Sequence, residues 1–340
     1  MNFKITHLGC IILALVALVI AKPVSANAKF ELSTKEINLF DNVAKRPAKV
    51  KFWYQADKNV CDAQICLQPQ QNIQKIAVIS HGAFGSPRSM NWLGYALASQ
   101  GWVVAGVAHF GESWIYGSQT IDPSVLQRFW QRPQEVSFVL DSISKKGLFN
   151  RKLIVDEVLM LGHSAGGFTS LAMAGALLEA GKSEAYCLSP QSKGDKGCNY
   201  SATKSTKPLS ENMLKNIGTL QAKMRDERIT AVIALDPALG HAVSDKSLAN
   251  IKVPTLILGS VENDFLPFTA HAKYYADFIP NARLVGVEQG AGHFVYIDSC
   301  DNERKVKGVA LCHDRQGVDR KDIQQQLLNQ VFRFINEQRS

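Results

Sequence analysis

The sequence predicts an α/β fold in which one mostly parallel sheet is flanked by helices. Three observations carry that expectation. Short, mostly apolar runs recur at residues 76–80, 102–108, 155–161, 229–235, 255–258 and 283–287, as strands do when both faces of a parallel sheet are covered. Segments of helical spacing alternate with them. No linker or internal repeat divides the chain, so a single large domain is expected.

Each element has its own signal. In KVKFWYQ, Val50, Phe52 and Tyr54 alternate with Lys49, Lys51 and Gln55, which predicts a half-exposed strand, antiparallel to one near residues 36–40. Pro133 suits a first helical position, and Val136, Val139, Leu140 and Ile143 then repeat at the interval of a packed helical stripe. Residues 171–180 and 322–337 read as helices too. Strands alternating with helices imply crossover units, and ligands of such sheets sit at the carboxyl ends of the strands.

The N-terminal stretch falls outside this pattern. Lys4 precedes an apolar run over residues 11–21, and Val24-Ser25-Ala26 or Ala26-Asn27-Ala28 fits a small-residue cleavage site. Residues 1–26 therefore read as a secretory signal peptide, leaving 27–340 as the domain and a secreted or periplasmic location. The run is too short to span a bilayer comfortably. Cys10 lies at its start, not at its end, which argues against lipid attachment.

Seven cysteines occur in all. Setting aside Cys10 leaves an even set, as expected of disulfides in an exported chain. They fall into near neighbours, so the expected pairs are Cys61–Cys66, Cys187–Cys198 and Cys300–Cys312. No CxxC pair or Cys/His cluster suggests zinc, and no metal or cofactor is expected. The formal charge of +8 is diffuse: it is compatible with peripheral contact to an anionic membrane, whereas a nucleic-acid partner would need a basic stripe interleaved with aromatics. Residues 181–228 carry little strand pattern, hold the Cys187/Cys198 pair and are rich in Lys, Ser, Thr and Asn; they read as a cap over the sheet edge, with an inert surface excursion as the alternative.

Chemistry concentrates around VLMLGHSAGGFTS. An apolar strand followed by Gly162, His163, Ser164, Ala165 and Gly166 and then a small-residue helix describes a strained turn that exposes one hydroxyl. A serine needs a base, and the base needs an orienting acid. Among the later histidines, His241 follows Leu239-Gly240 and His271 falls on a predicted helix. His293, in GAGHF after the last strand, is the expected base. Two acids stand after strands: Asp264 in PTLILGSVENDFLP and Asp236 in AVIALDPALG. Asp264 is preferred because it follows the seventh strand, with Asp236 the alternative. Donors for a developing oxyanion are expected from the Ala165 amide and, in SHGAFGSPRS, from that of Ala83 or alternatively Phe84. His81 is read as a structural residue fixing that loop. Phe84, Trp114 and Tyr116 are candidates to line an acyl pocket.

Together ISHGAFGS, LGHSAGGFTS, VPTLILGSVENDFLPF and GAGHF resemble the serine α/β-hydrolases, and within them the dienelactone-hydrolase-like proteins related to platelet-activating-factor acetylhydrolase. ALASQGWVVAGVAHFG, WQRPQEVSFVLDSI and the Cys300/Cys312 region extend the similarity from about Lys49 to the end. The END triplet is similar to the acid loop of polyester-cleaving cutinase-like hydrolases, which favours Asp264. Acetylhydrolases place the acid one strand earlier, which keeps Asp236 in view. Dienelactone hydrolases proper use cysteine, whereas this chain has Ser164. The resemblance implies an α/β-hydrolase fold and an ester-hydrolysing serine enzyme without fixing the ester. With the leader and the 181–228 segment, the expectation is an exported esterase with a cap insertion, acting on a small-molecule or lipid ester through an acyl-enzyme. The alternatives are a serine peptidase and a non-catalytic binding protein of the same fold.

Overall fold

A computed structural model describes residues 30–59, 61–145, 147–200, 210–300 and 304–338. The expected signal peptide and Cys10 lie outside the described residues. Eight strands form the main sheet: β1 (Glu31–Asp41), β2 (Arg46–Ala56), β3 (Ile76–Ser80), β4 (Val103–Ala108), β5 (Val158–His163), β6 (Ile229–Leu235), β7 (Thr255–Ser260) and β8 (Ala282–Val287). Their order is β1-β2-β4-β3-β5-β6-β7-β8. β2 is antiparallel to both neighbours, and every pairing from β4 to β8 is parallel. That order and that single antiparallel hairpin edge define an α/β-hydrolase fold.

The helices are α1 (Asn91–Ser99), α2 (Gln131–Ile143), α3 (Ala165–Ala174), α4 (Lys182–Cys187), α5 (Glu211–Lys215), α6 (Ile217–Ala222), α7 (Asp245–Ala249), α8 (Ala272–Phe278) and α9 (Arg320–Glu337). Leu93 and Leu97 of α1 and Leu327 and Val331 of α9 pack with Trp53, Ile79, Leu161 and Leu258 on one face. Val136 of α2, Leu171 of α3 and Tyr275 of α8 pack with Phe52, Val78 and Met160 on the other. Adjacent residues Phe52 and Trp53 thus serve opposite cores, as the two-residue period of a strand requires. Both are fully buried, each worth roughly 1.5–3 kcal/mol or more of transfer free energy.

Several elements differ from their sequence expectations. The helix expected over 171–180 begins at Ala165 and stops at Gly175, whose φ of 124° breaks the helical path. The fifth strand starts at Val158 because Asp156 and Glu157 are exposed. Pro133 is the third residue of α2, still within the first turn, where its missing N–H costs no hydrogen bond. The three expected disulfides are all present. Among the described residues no helix is long and apolar enough to cross a membrane.

The chain winds from β3 outward to β4, then returns to place β5 on the other side of β3. Such a reversal opens a crevice at the carboxyl ends of the two strands. The register pairs Ser80 with Gly162 at those ends. The loops after β3 and β5 therefore meet there.

Candidate active site

Ser164 stands between the last residue of β5 and the first of α3, with φ 57° and ψ −117°. A non-glycine residue at such angles is strained. Its surroundings fix the strain in place: Ser164 N donates to Leu235 O at 3.0 Å, and Ser164 O accepts from Phe168 N at 3.1 Å and Ala238 N at 3.0 Å. Close approach explains the flanking glycines. A Cβ on Gly162 would lie 2.1 Å from Gly166 O, and one on Gly166 would lie 1.9 Å from Ser80 O.

The loop after β3 closes over the serine. A Cβ on Gly82 would lie 3.3 Å from Ser164 Cβ, so Gly82 lies directly against the Ser164 side chain. Gly85 N donates to Gly82 O at 3.0 Å, and Phe84 takes φ 57° inside this turn. Ala165 is the first residue of α3, where N–H groups lack intrahelical acceptors. A polar network supports the loop from below. His81 Nδ1–H donates to Gly82 O at 2.7 Å and its Nε2 accepts from His109 N at 3.1 Å. The Arg132 guanidinium donates to His81 O at 2.8 Å and pairs with Glu112 through two 2.7 Å bonds. Burial draws the Glu112 carboxyl upward, but the Arg132 charge and hydrogen bonds outweigh it and hold the group below its usual range.

His293 follows β8 on a short helical turn and is fully buried. Its ring lies 4.6 Å from that of His163, the residue preceding the serine, and stacks on Phe265 at 5.2 Å. His163 Nε2–H donates to His293 O at 2.9 Å. Among the described residues His293 Nε2 has no hydrogen-bond partner. Its Nδ1 lies 3.4 Å from Asp236 Oδ2 and 3.4 Å from Asn263 Nδ2. Burial holds the imidazole down at about 3, against the attraction of the Asp264 charge, so the ring is neutral near neutral pH, as a proton acceptor must be.

The two candidate acids take different places. Asp236, at φ 41°, accepts Ser260 N at 2.7 Å and Asn263 Nδ2 at 2.8 Å and faces the His293 ring. Burial pushes its carboxyl well up, yet both neighbours present N–H donors, the pattern that serves an ionised carboxylate. Asp264, preferred from sequence, instead accepts the main-chain N–H of His293 at 3.0 Å and lies 3.3 Å from Arg315. The reason is local: Asn263 turns its side chain between the acid loop and the ring, accepting from Phe265 N and Leu266 N while donating to Asp236.

The expected pocket aromatics also separate. Phe84 lies 6.1 Å from the Tyr200 ring, so residues of the 181–228 segment reach the loop beside Ser164. Trp114 is exposed beneath the Arg88 guanidinium. Tyr116 instead turns its hydroxyl onto main chain, accepting from Lys49 N at 2.7 Å and donating to Ala108 O at 3.0 Å, which gives it a structural place beside β2. Two residues here lie outside what the sequence signals: His163, which sits within the Gly162–Gly166 turn, and Asn263, whose only mark is its place beside Asp264.

No family model and no curated protein matches the chain. Among solved structures it is similar to a ferulic acid esterase from Streptomyces cinnamoneus, with 17% identity and a TM-score of 0.45 over 82% of this chain and 78% of that one. It is also similar to a protein from Klebsiella pneumoniae assigned as a dienelactone hydrolase, with 12% identity and a TM-score of 0.49 over 88% of this chain and 98% of the other.

Proposed function

We propose that the chain is a serine hydrolase that cleaves carboxylic esters through an acyl-enzyme. Ser164 Oγ attacks the carbonyl and His293 Nε2 takes its proton. Asp236 steadies the imidazolium, and the Ala83 and Ala165 amides receive the oxyanion. Collapse of the tetrahedral intermediate expels the alcohol, which takes the proton from His293. Water, deprotonated by the same imidazole, then releases the acid. The carrying observation is that a buried imidazole beside the strained serine turn faces a carboxylate with Nδ1 while its Nε2 has no partner among the described residues. In this reading Asp264 holds the His293 main chain, and the acid sits one strand earlier than the sequence favoured.

The proposed substrate is a small-molecule or lipid ester, taken up under a cap formed by residues 181–228. The contact of Tyr200 with Phe84 supports that cap. Three disulfides support passage through an oxidising compartment, hence export. A fluorophosphonate probe tests the reading: it labels the wild-type chain and leaves Ser164→Ala unlabelled. Absence of labelling on folded wild-type protein would mark a binding module. Hydrolysis of p-nitrophenyl esters of graded acyl length, compared with peptides, separates esterase from peptidase.

A further inference from the structure

Three buried side chains converge away from Ser164. Asp195 belongs to the loop closed by the Cys187–Cys198 disulfide, His241 lies just beyond β6, and His271 precedes α8. One donor atom from each lies within 4.8 Å of the others. Asp195 and His241 are 7% exposed and His271 2%. Asp195 Oδ2 is 2.7 Å from His271 Nε2, and Asp195 Oδ1 accepts Gly197 N at 2.8 Å. The Tyr186 hydroxyl also leans on Asp195.

The His241 ring is what a purely structural hydrogen-bond cluster does not explain, since it is buried beside the Asp195–His271 pair yet bonds to neither. Among the described residues, both nitrogens of His241 and Nδ1 of His271 are buried without a partner. Buried polar atoms left so cost roughly 1–3 kcal/mol each. The Tyr186 ring stacks on His241 at 4.0 Å, which holds the imidazole in place without satisfying it. The two histidine loops are brought together by a close main-chain contact: a Cβ on Gly240 would lie 2.6 Å from Ala270 O and 2.7 Å from His271 Cα.

We infer that Asp195, His241 and His271 form a binding site for a divalent transition cation of the zinc type. Two imidazoles and one carboxylate are a borderline donor set, suited to zinc and its neighbours and unlike the oxygen shells of calcium or magnesium. Metal–nitrogen bonds of about 2.0–2.1 Å to a tetrahedral ion set donors about 3.4 Å apart. The three donors already lie within 4.8 Å of one another, so reaching that spacing asks the 2.7 Å Asp195–His271 contact to open slightly and the His241 ring to slide along the Tyr186 face that it stacks on. The fourth position would hold water.

Such a cation fastens the 181–228 segment to the two loops that carry Asp236 and Asp264. The clamp lies close to the base: Lys196 N donates to Phe265 O at 2.9 Å, and Phe265 stacks on His293. The inference is independent of catalysis by Ser164.

The test uses the full mature chain without a polyhistidine tag, stripped with chelator and titrated calorimetrically with Zn²⁺. One ion per chain is expected, with a rise in Tm, and X-ray absorption at the zinc edge should count two imidazoles. His241→Phe keeps the stack on Tyr186 but removes the nitrogens, and should weaken binding by about a hundredfold or more; Asp195→Asn should do likewise. His293→Gln should leave the stoichiometry unchanged. No stoichiometric binding by the wild-type chain, a different imidazole count, or full binding by folded His241→Phe each overturns the site. The absorption count on wild-type protein decides the matter even if a variant fails to fold.

Discussion

His163 donates its Nε2–H to the main-chain carbonyl of His293 at 2.9 Å, so the residue before the proposed nucleophile holds the residue proposed as base. Burial keeps the His163 ring well below its ordinary titration range, and only one tautomer makes this bond. His163→Phe should therefore lower kcat by about ten- to a hundredfold with little change in KM, since a misplaced base costs turnover more than binding. His163→Gln, which can present an N–H near the same point, should recover part of the loss. Equal losses in both variants, or a change confined to KM, would remove the positioning role.

The two carboxylates make opposite predictions. Asp236→Asn should cost about 10⁴ in kcat, the magnitude seen when an orienting acid loses its charge. Asp264→Asn keeps an oxygen able to accept from His293 N and should cost about tenfold or less. Steady-state kinetics of the two variants rank them, and the reverse ranking would return the acid to the loop after β7.

Gly166→Ala should prevent normal folding. Its methyl carbon would fall 1.9 Å from a main-chain oxygen of β3, and neither side is a flexible side chain that can withdraw. A loss of about 3 kcal/mol or more in urea unfolding, or insoluble expression, is expected. A soluble variant of near wild-type stability would show that the elbow can shift as a unit.

Stability should fall as the medium is acidified through the range where free imidazole titrates. His81 and His163 are buried, and burial holds both folded-state pKa values well below the 6.5 of a free imidazole. Depressed histidine pKa values mean that the unfolded chain binds protons the folded chain refuses. The stability they contribute is complete above about pH 6.5 and declines below it by up to about 1.4 kcal/mol per pH unit for each ring. Chemical denaturation between pH 8 and 5 measures this, and replacing His81 with Gln should flatten the slope. A slope unchanged by that substitution would refute the assignment.

Much of this architecture is legible in the sequence because it rests on local pattern. Buried strands announce themselves as short apolar runs, and the Ser164 turn is marked by glycines whose need is steric and close at hand. The helix Asn91–Ser99 carries little sequence signal, because Gly94 interrupts a short stripe in which only Leu93 and Leu97 are large and buried. The choice between Asp236 and Asp264 was open for a different reason. Both follow adjacent parallel strands, and which one faces an imidazole arriving from a third loop depends on how Asn263 turns, a tertiary fact. Asp195, His241 and His271 are likewise dispersed in the sequence. Their meeting depends on a disulfide-closed loop folding back over two strand ends, which no spacing encodes.

Ser164 exchanges main-chain hydrogen bonds with Leu235 and Ala238 on either side of Asp236, so the hydroxyl and that carboxylate ride on one rigid seam of neighbouring strands. The imidazole comes instead from beyond β8, the strand at the rim, whose residues are only partly covered. Rim segments open at lower free energy than central ones. Gentle warming should therefore detach the proposed base while the interior is still intact, and the chain should fall silent some degrees before it melts.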